Sequence, residues 1–309
     1  MKLFASLLLA LGLLASPASS VHAKEERVST VTKAKKAKAA QRQRAVKKAR
    51  LRRAKNSYAA QLGALRSSAV LILDPRTKKV LYQKNADTAL PIASLTKLMT
   101  ALVVLEAKQN LAEKLSVTSA DIDRLKYSSS RLRVGTRLSR SEMLHIALMS
   151  SENRAASALG RNYPGGTRKF VAAMNAKARA LGMRRTRFVE PTGLSRANVA
   201  SPADLAKLAV AVEKHTLIRR YSTDRSFSIR QGRGRTVYHN SNRLTASPSW
   251  KIRLQKTGYI SEAGRCMILH ATVRGRPTVM VFLDARGKFS RAADANSVRA
   301  WLTRFNPWA

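Results

Sequence analysis

Strand-like segments stand near both ends of the folding part of this chain, with a long helix-patterned stretch between them. That spacing restricts the fold more than any other feature. Ala69-Val70-Leu71-Ile72-Leu73 and Val80-Leu81-Tyr82 flank Asp74-Pro75-Arg76-Thr77, which predicts a β-hairpin. Far along the chain, Ile252 to Lys256, Arg265 to Val273 and Thr278 to Leu283 read as three more strands, the last two joined by Gly275-Arg276-Pro277. Between these sets, Leu95, Leu98, Met99, Leu102 and Leu105 recur at helical spacing. Ser139-Arg140-Ser141-Glu142 is a capping box, Thr167 to Leu181 forms a helix closed by Gly182, and Ser201-Pro202-Ala203-Asp204 opens another helix. Ala292 to Arg304 predicts a closing helix. The class is α+β: an antiparallel sheet of about five strands built from both chain ends and flanked by helices, plus an all-helical lobe, with a cleft between.

The first sixty residues follow other rules. Residues 1–23 read as a signal peptide: Lys2, an apolar run of 13 from Leu3 to Ala15, and the small-x-small site Val21-His22-Ala23. Thirteen apolar residues fall short of the roughly 20 that span a bilayer. Residues 24–60 form a basic Ala/Lys/Arg-rich linker. Its first 32 residues hold 14 Lys or Arg against two Glu and have too few large apolar groups for a core. Residues 61–309 are the expected folded domain.

Net charge is +42, with +29 on residues 56–309. In a cytosolic protein this would suggest nucleic acid. For an exported chain the available polyanions are instead the cell wall and anionic envelope surfaces, so no nucleic-acid partner is expected, and the basic tail is a candidate for envelope contact. One cysteine excludes an internal disulfide, and the five histidines never fall in H-x-x-x-H or H-x-H spacing. No metal and no cofactor is expected.

Chemistry-bearing residues cluster in three short motifs. Ser94-Leu95-Thr96-Lys97 opens the first helix, and spacing of three puts hydroxyl and amine on one face. A helix N-terminus and desolvation both lower a lysine's pKa, so Lys97 can take the proton of Ser94 without histidine. Ser151-Glu152-Asn153 ends the capping-box helix, where a hydroxyl and an amide can relay a proton and hold a substrate backbone. Lys256-Thr257-Gly258, expected at a strand end, offers an ammonium and a hydroxyl for a carboxylate and a glycine for close approach of an extended peptide.

In this order the three motifs resemble those of the penicillin-recognising serine peptidases and β-lactamases. The resemblance covers about four-fifths of the chain and implies a β-lactamase/DD-peptidase-like fold. Met149-to-Gly160 (MSSENRAASALG) and the segment from Glu190 to Ala209 are similar to the low-molecular-weight D-alanyl-D-alanine peptidases. By resemblance, Ser94 is the nucleophile, Lys97 its base, Ser151 and Asn153 assist proton transfer, and Lys256, Thr257 and Gly258 bind substrate. The backbone N–H groups of Ser94 and Tyr259 would form the oxyanion hole. The implied partners are peptidoglycan stem peptides, with β-lactam antibiotics as inhibitors, and the implied compartment is the periplasm.

Two departures refine the expectation. The second motif reads Ser151-Glu152-Asn153-Arg154 and not the S-G-N-D usual in the family's carboxypeptidases, which favours its endopeptidase branch. Only 51 residues follow Gly258, so no C-terminal membrane anchor is expected. A class A β-lactamase is the nearest rival, but Glu190-Pro191-Thr192-Gly193-Leu194 lacks the E-x-x-L-N pattern, and Glu190 reads as a loop residue. The same residues are compatible with a carboxypeptidase that trims pentapeptide stems, and the charge with a non-catalytic wall-binding protein. His145 and His270 read as helix- and strand-face residues, Cys266 as a small buried group, and Trp301 and Trp308 as packing for the closing helix.

Overall fold

Alternation of side chains across the strands decides the sheet. In the computed structural model, which describes residues 33, 35–49, 62, 64–305 and 307–308, the chain divides into two units at residues 60 and 61. In the first unit, residues 35–49 form a helix, α1, with every described residue exposed. The expected signal peptide, residues 1–23, lies outside the described residues, as does much of the linker.

The second unit is built on β1 (Ser67–Leu73), β2 (Val80–Lys84), β9 (Lys251–Ile260), β10 (Gly264–Val273) and β11 (Arg276–Ala285). These join antiparallel in the order β2-β1-β11-β10-β9. The two chain ends meet where Ala69 pairs with Leu283 and Leu71 with Val281. Ala69 and Leu71 of β1, Val279, Val281 and Leu283 of β11, and Cys266 and Ile268 of β10 face one core. Their neighbours Val70, Ile72, Met280, Phe282, Met267 and Leu269 face another. Both sheet faces are therefore apolar, and each needs a covering layer.

One face is covered by Ala295, Val298 and Leu302 of α8 (Ser290–Phe305), with Trp308 buried in the same core and Trp301 packed against it. The other is covered by the middle of the chain. This contains α2 (Thr96–Glu106), α3 (Arg140–Met149), α4 (Asn153–Arg161), α5 (Gly166–Ala180), α6 (Pro202–Glu213) and α7 (Thr216–Thr223). α2 is buried on all sides from Thr96 to Val104, and burial of each large aliphatic side chain there contributes about 1.5–3 kcal/mol. The capping box at Ser139 and Glu142 forms with both reciprocal hydrogen bonds, and Ser201 caps α6 with Pro202 in its first turn.

The helical lobe carries three two-stranded ribbons in addition: β3 (Leu90–Pro91) with β6 (Val199–Ala200), β4 (Lys114–Ser116) with β5 (Arg137–Ser139), and β7 (Ser226–Gln231) with β8 (Gly234–His239). The β7–β8 hairpin escaped the sequence reading because its burial pattern is broken by exposed arginines, Arg230 and Arg235. The far strands are also longer than their apolar runs suggest. Lys256-Thr257-Gly258, expected at a strand end, lies inside β9, which stays paired with β10 as far as Ile260. Backbone pairing, unlike the hydrophobic pattern, continues through glycine and exposed tyrosine.

Candidate active site

Ser94 stands in a 3-10 turn, Ala93–Leu95, that feeds directly into α2 and packs on β9. Ala93 has a left-handed backbone, φ +48°, a conformation that costs an alanine energy and turns the chain sharply before the serine. Two glycines make room for this turn. A Cβ on Gly258 would meet the Ser94 nitrogen at 3.0 Å and the Ile92 carbonyl at 3.0 Å. A Cβ on Gly193, itself at φ +86°, would lie 1.9 Å from the Ala93 carbonyl oxygen. The backbone of β9 and of the 190–195 loop can therefore press against the turn only because both positions are glycine.

Lys97, one turn on, is almost wholly buried, and its Nζ meets three oxygens: Ser94 Oγ at 2.9 Å, Asn153 Oδ1 at 2.7 Å and the Thr192 carbonyl at 2.6 Å. The orientation of the Asn153 amide follows from its other neighbour. Ser128 donates its hydroxyl to Asp123 at 2.6 Å, so its oxygen accepts from Asn153 Nδ2 at 3.0 Å and Oδ1 is left for Lys97. Asn153 Oδ1 and the Thr192 carbonyl can only accept. A neutral Lys97 amine that keeps N–H bonds to both has its lone pair directed at the Ser94 hydroxyl. Burial pushes the Lys97 pKa down to about 8, against a smaller upward pull from Glu190, Glu152 and Asp123. A buried, hydrogen-bonded lysine that sheds its proton near neutral pH is chemically a base for the adjacent hydroxyl.

Ser151 lies in the tight turn between α3 and α4, at φ +67°, and shares a recess with Ser130, Arg131, Asn153 and Tyr238. Glu152 between them caps α4, accepting from the Arg154 backbone N–H at 3.2 Å and the Ser130 hydroxyl at 2.7 Å. Lys256 is fully buried and donates to the Thr257 carbonyl at 2.8 Å. Its pKa is held well below the ordinary lysine value, first by burial and then by the positive charges of Lys97 and Arg291. The Thr257 hydroxyl lies 2.7 Å from that of Ser241, and Arg291 donates to the Gly258 carbonyl at 3.1 Å. The Tyr259 side chain is exposed, with the Arg265 guanidinium 4.5 Å from its ring centre. Thus Ser94, Lys97 and Asn153 are joined by direct hydrogen bonds, and Gly258 abuts the Ser94 backbone.

Several contributors were invisible in the three motifs. The Thr192 carbonyl is a backbone group and carries no sequence signal. Glu190 occupies one carboxylate oxygen with the Thr192 N–H and hydroxyl, at 2.6 and 2.5 Å. The other accepts from Gly193 N–H at 2.7 Å and Asn198 Nδ2 at 2.8 Å. It shapes the loop that presents Thr192, in keeping with its reading as a loop residue. Gly193 was discoverable only as one half of the Thr-Gly pair. Away from the cleft, His145 is buried beside Tyr221 and Phe227, at 4.3 and 4.0 Å between ring centres. His270 and Cys266 are buried in β10, and burial raises the Cys266 thiol to about 12, which keeps it protonated and unreactive.

Known proteins resemble this chain in sequence and in fold. The sequence family described as D-alanyl-D-alanine carboxypeptidase matches residues 54–287. The D-alanyl-D-alanine endopeptidase of Pseudomonas aeruginosa is 47% identical over 77% of this chain and 77% of its own length. The enzyme of the same name from Escherichia coli is 44% identical over 76% of this chain and 77% of its own. Among solved structures, the Streptomyces K15 DD-transpeptidase superposes with a TM-score of 0.72 at 27% identity, covering 77% of this chain and 97% of that one. A buried lysine hydrogen-bonded to a helix-start serine and the match over three-quarters of the sequence lead to one assignment: the chain belongs to the D-alanyl-D-alanine carboxypeptidase family of serine peptidases.

Proposed function

We propose that this protein is an exported serine D,D-endopeptidase that cuts D-alanyl cross-links in peptidoglycan. The observation that carries the reading is the Lys97 amine, buried and 2.9 Å from Ser94 Oγ with two acceptor-only oxygens holding its N–H bonds. Ser94 Oγ attacks the D-alanyl carbonyl carbon as its proton passes to Lys97 Nζ. The resulting oxyanion is received by the backbone N–H groups of Ser94 and Tyr259, an arrangement favoured by the close approach of Gly258 to the Ser94 nitrogen. The carbon–nitrogen bond then breaks, and the leaving amine takes a proton delivered from Lys97 by way of the Ser151 hydroxyl. Asn153 holds the substrate backbone, while Lys256 and Thr257 receive the carboxylate of the leaving residue. Water repeats the sequence on the acyl-enzyme, with Lys97 again taking a proton, and frees Ser94.

In this reading, residues 1–23 are a cleaved signal peptide, 24–60 a basic linker that touches an anionic envelope surface, and 61–309 the catalytic domain acting in the periplasm. β-Lactams acylate Ser94 because their strained amide occupies the place of the D-alanyl peptide bond. Carboxypeptidase action on pentapeptide stems is the second reading, supported by the description of the matched family.

One experiment separates them. Residues 24–309 are given cross-linked muropeptide dimers together with pentapeptide monomers, and products are read by mass spectrometry beside a Ser94→Ala control. Conversion of dimers to monomers only when Ser94 is present supports the endopeptidase. Persistent dimers with pentapeptides shortened by one alanine would replace it with the carboxypeptidase, and cleavage unaffected by Ser94→Ala would refute the serine mechanism.

A further inference from the structure

Beside the Lys256-Thr257-Gly258 segment lies a recess lined by Arg243, Arg265, Lys288 and Arg291, with Ser241 and the exposed Phe289 at its margins. Three contacts tie its lining to the Thr257–Tyr259 segment. Ser241 Oγ is 2.7 Å from Thr257 Oγ1, Arg291 donates to the Gly258 carbonyl, and Arg265 lies against the Tyr259 ring. The last contact follows from the register, in which Arg265 is the β10 partner of Tyr259. Among the described residues, no carboxylate lies within ion-pair distance of Arg243, Arg265 or Lys288. Lys and Arg outnumber acids throughout this protein, and what sets these three apart is their place beside Thr257, Gly258 and Tyr259.

We propose that Arg243, Arg265 and Lys288 form a subsite for the carboxylates of an acidic peptidyl leaving group, and so favour cross-linked over uncross-linked substrate. This rests on the endopeptidase reading. The carboxylate of the leaving residue belongs at Thr257, so the recess that opens beside Thr257 lies on the leaving side of the scissile bond. A single departing D-alanine has one carboxylate and leaves nothing to fill the space beyond. A departing stem peptide is itself acidic and carries further carboxylates several bonds from the reacting amine. Three cations without protein counter-ions match that charge, and their partial exposure lets a long leaving group enter and depart.

The test uses residues 24–309, comparing the wild type with the double variant Arg243→Gln/Lys288→Gln. Neither residue touches Ser94, Lys97 or the Lys256-Thr257-Gly258 run, and both side chains are exposed. Three readouts are taken: kcat/KM on cross-linked dimer, kcat/KM on pentapeptide monomer, and the rate of acylation by a labelled penicillin. The expected result is a fall of about tenfold on the dimer, with the other two within twofold, and a weaker salt dependence of dimer cleavage in the variant. A dimer whose leaving stem has its carboxylates amidated should be cut equally by both proteins. Equal losses on dimer and pentapeptide, or no loss on either, would overturn the subsite while the endopeptidase stands. A wild type that cuts pentapeptide but no dimer would overturn the endopeptidase reading and the subsite with it.

Discussion

Two places in this protein bury cations, and they do so by opposite means. In the helical lobe Arg161 forks onto Asp121, at 3.2 and 2.8 Å, and adds the Ser116 carbonyl at 2.7 Å. Arg140, 1% exposed, holds Glu113 at 2.5 Å together with the Asn110 carbonyl. Each of these cations has a carboxylate in contact, Arg140 being buried and Arg161 half-buried, and each ties separate segments of the lobe together. In the cleft, Lys97 has three oxygen acceptors within hydrogen-bonding distance, all neutral, and Lys256 has one backbone carbonyl. With no carboxylate in contact, burial wins over the pull of Glu190, Glu152 and Asp123 and the Lys97 pKa falls to about 8. A lysine buried without a carboxylate in contact has the character of a base.

Removing each kind of cation partnership should separate the two regions, and the largest effect belongs to the cleft. Lys97→Ala should slow acylation by labelled penicillin by about 10²–10⁴-fold, the range for loss of a general base. Its midpoint in chemical denaturation should hold or rise, since the buried amine is ill-solvated. A stability loss matching the loss of activity would mean that Lys97 is as structural as Arg161. Next comes the lobe: Asp121→Ala removes the carboxylate partner of half-buried Arg161 and the acceptor of Ser157 and of the Thr118 N–H, and should cost about 1–3 kcal/mol of stability by urea unfolding. Acylation by the remaining folded protein should stay within threefold, and a larger fall would show that the lobe's ion pairs also tune the cleft.

The smallest effect, and the sharpest, comes from making the cleft resemble the lobe. With Lys97 as the proposed base of acylation, the wild-type rate should climb about tenfold per pH unit below pH 8 and level off above it. Asn153→Asp puts a carboxylate where Oδ1 now sits 2.7 Å from Nζ, which favours the ammonium and should move that rise upward by roughly 1–2 units. The plateau at high pH should survive in part. An unmoved profile would show that the titrating group is not Lys97.

The sequence exposed more of the chemistry than of its setting. Ser94 and Lys97 were legible because three residues of spacing places both groups on one turn, a purely local property. β1, β10 and β11 were legible because they are buried on both faces and so read as apolar runs. The β7–β8 hairpin, with arginines breaking its pattern, was not. Glu190 reads as a loop residue in the sequence, yet its work as the acceptor that shapes the Thr192–Gly193 turn depends on contacts with Asn198 that no motif announces.

By itself the sequence determined which atoms could react: a hydroxyl and an amine one turn apart, an Asn amide, and a Lys-Thr-Gly run, each in a locally defined place. It also determined that a sheet must be assembled from both chain ends, because those strands have apolar faces that no neighbouring segment can cover. Only the tertiary structure decided what the lysine would be. Its basicity follows from full burial among neutral oxygens contributed by residues 94, 153 and 192. Their convergence depends on two glycines that let separate backbones touch the Ala93–Ser94 turn. Desolvation is a property of surroundings, and surroundings exist only after the chain has folded.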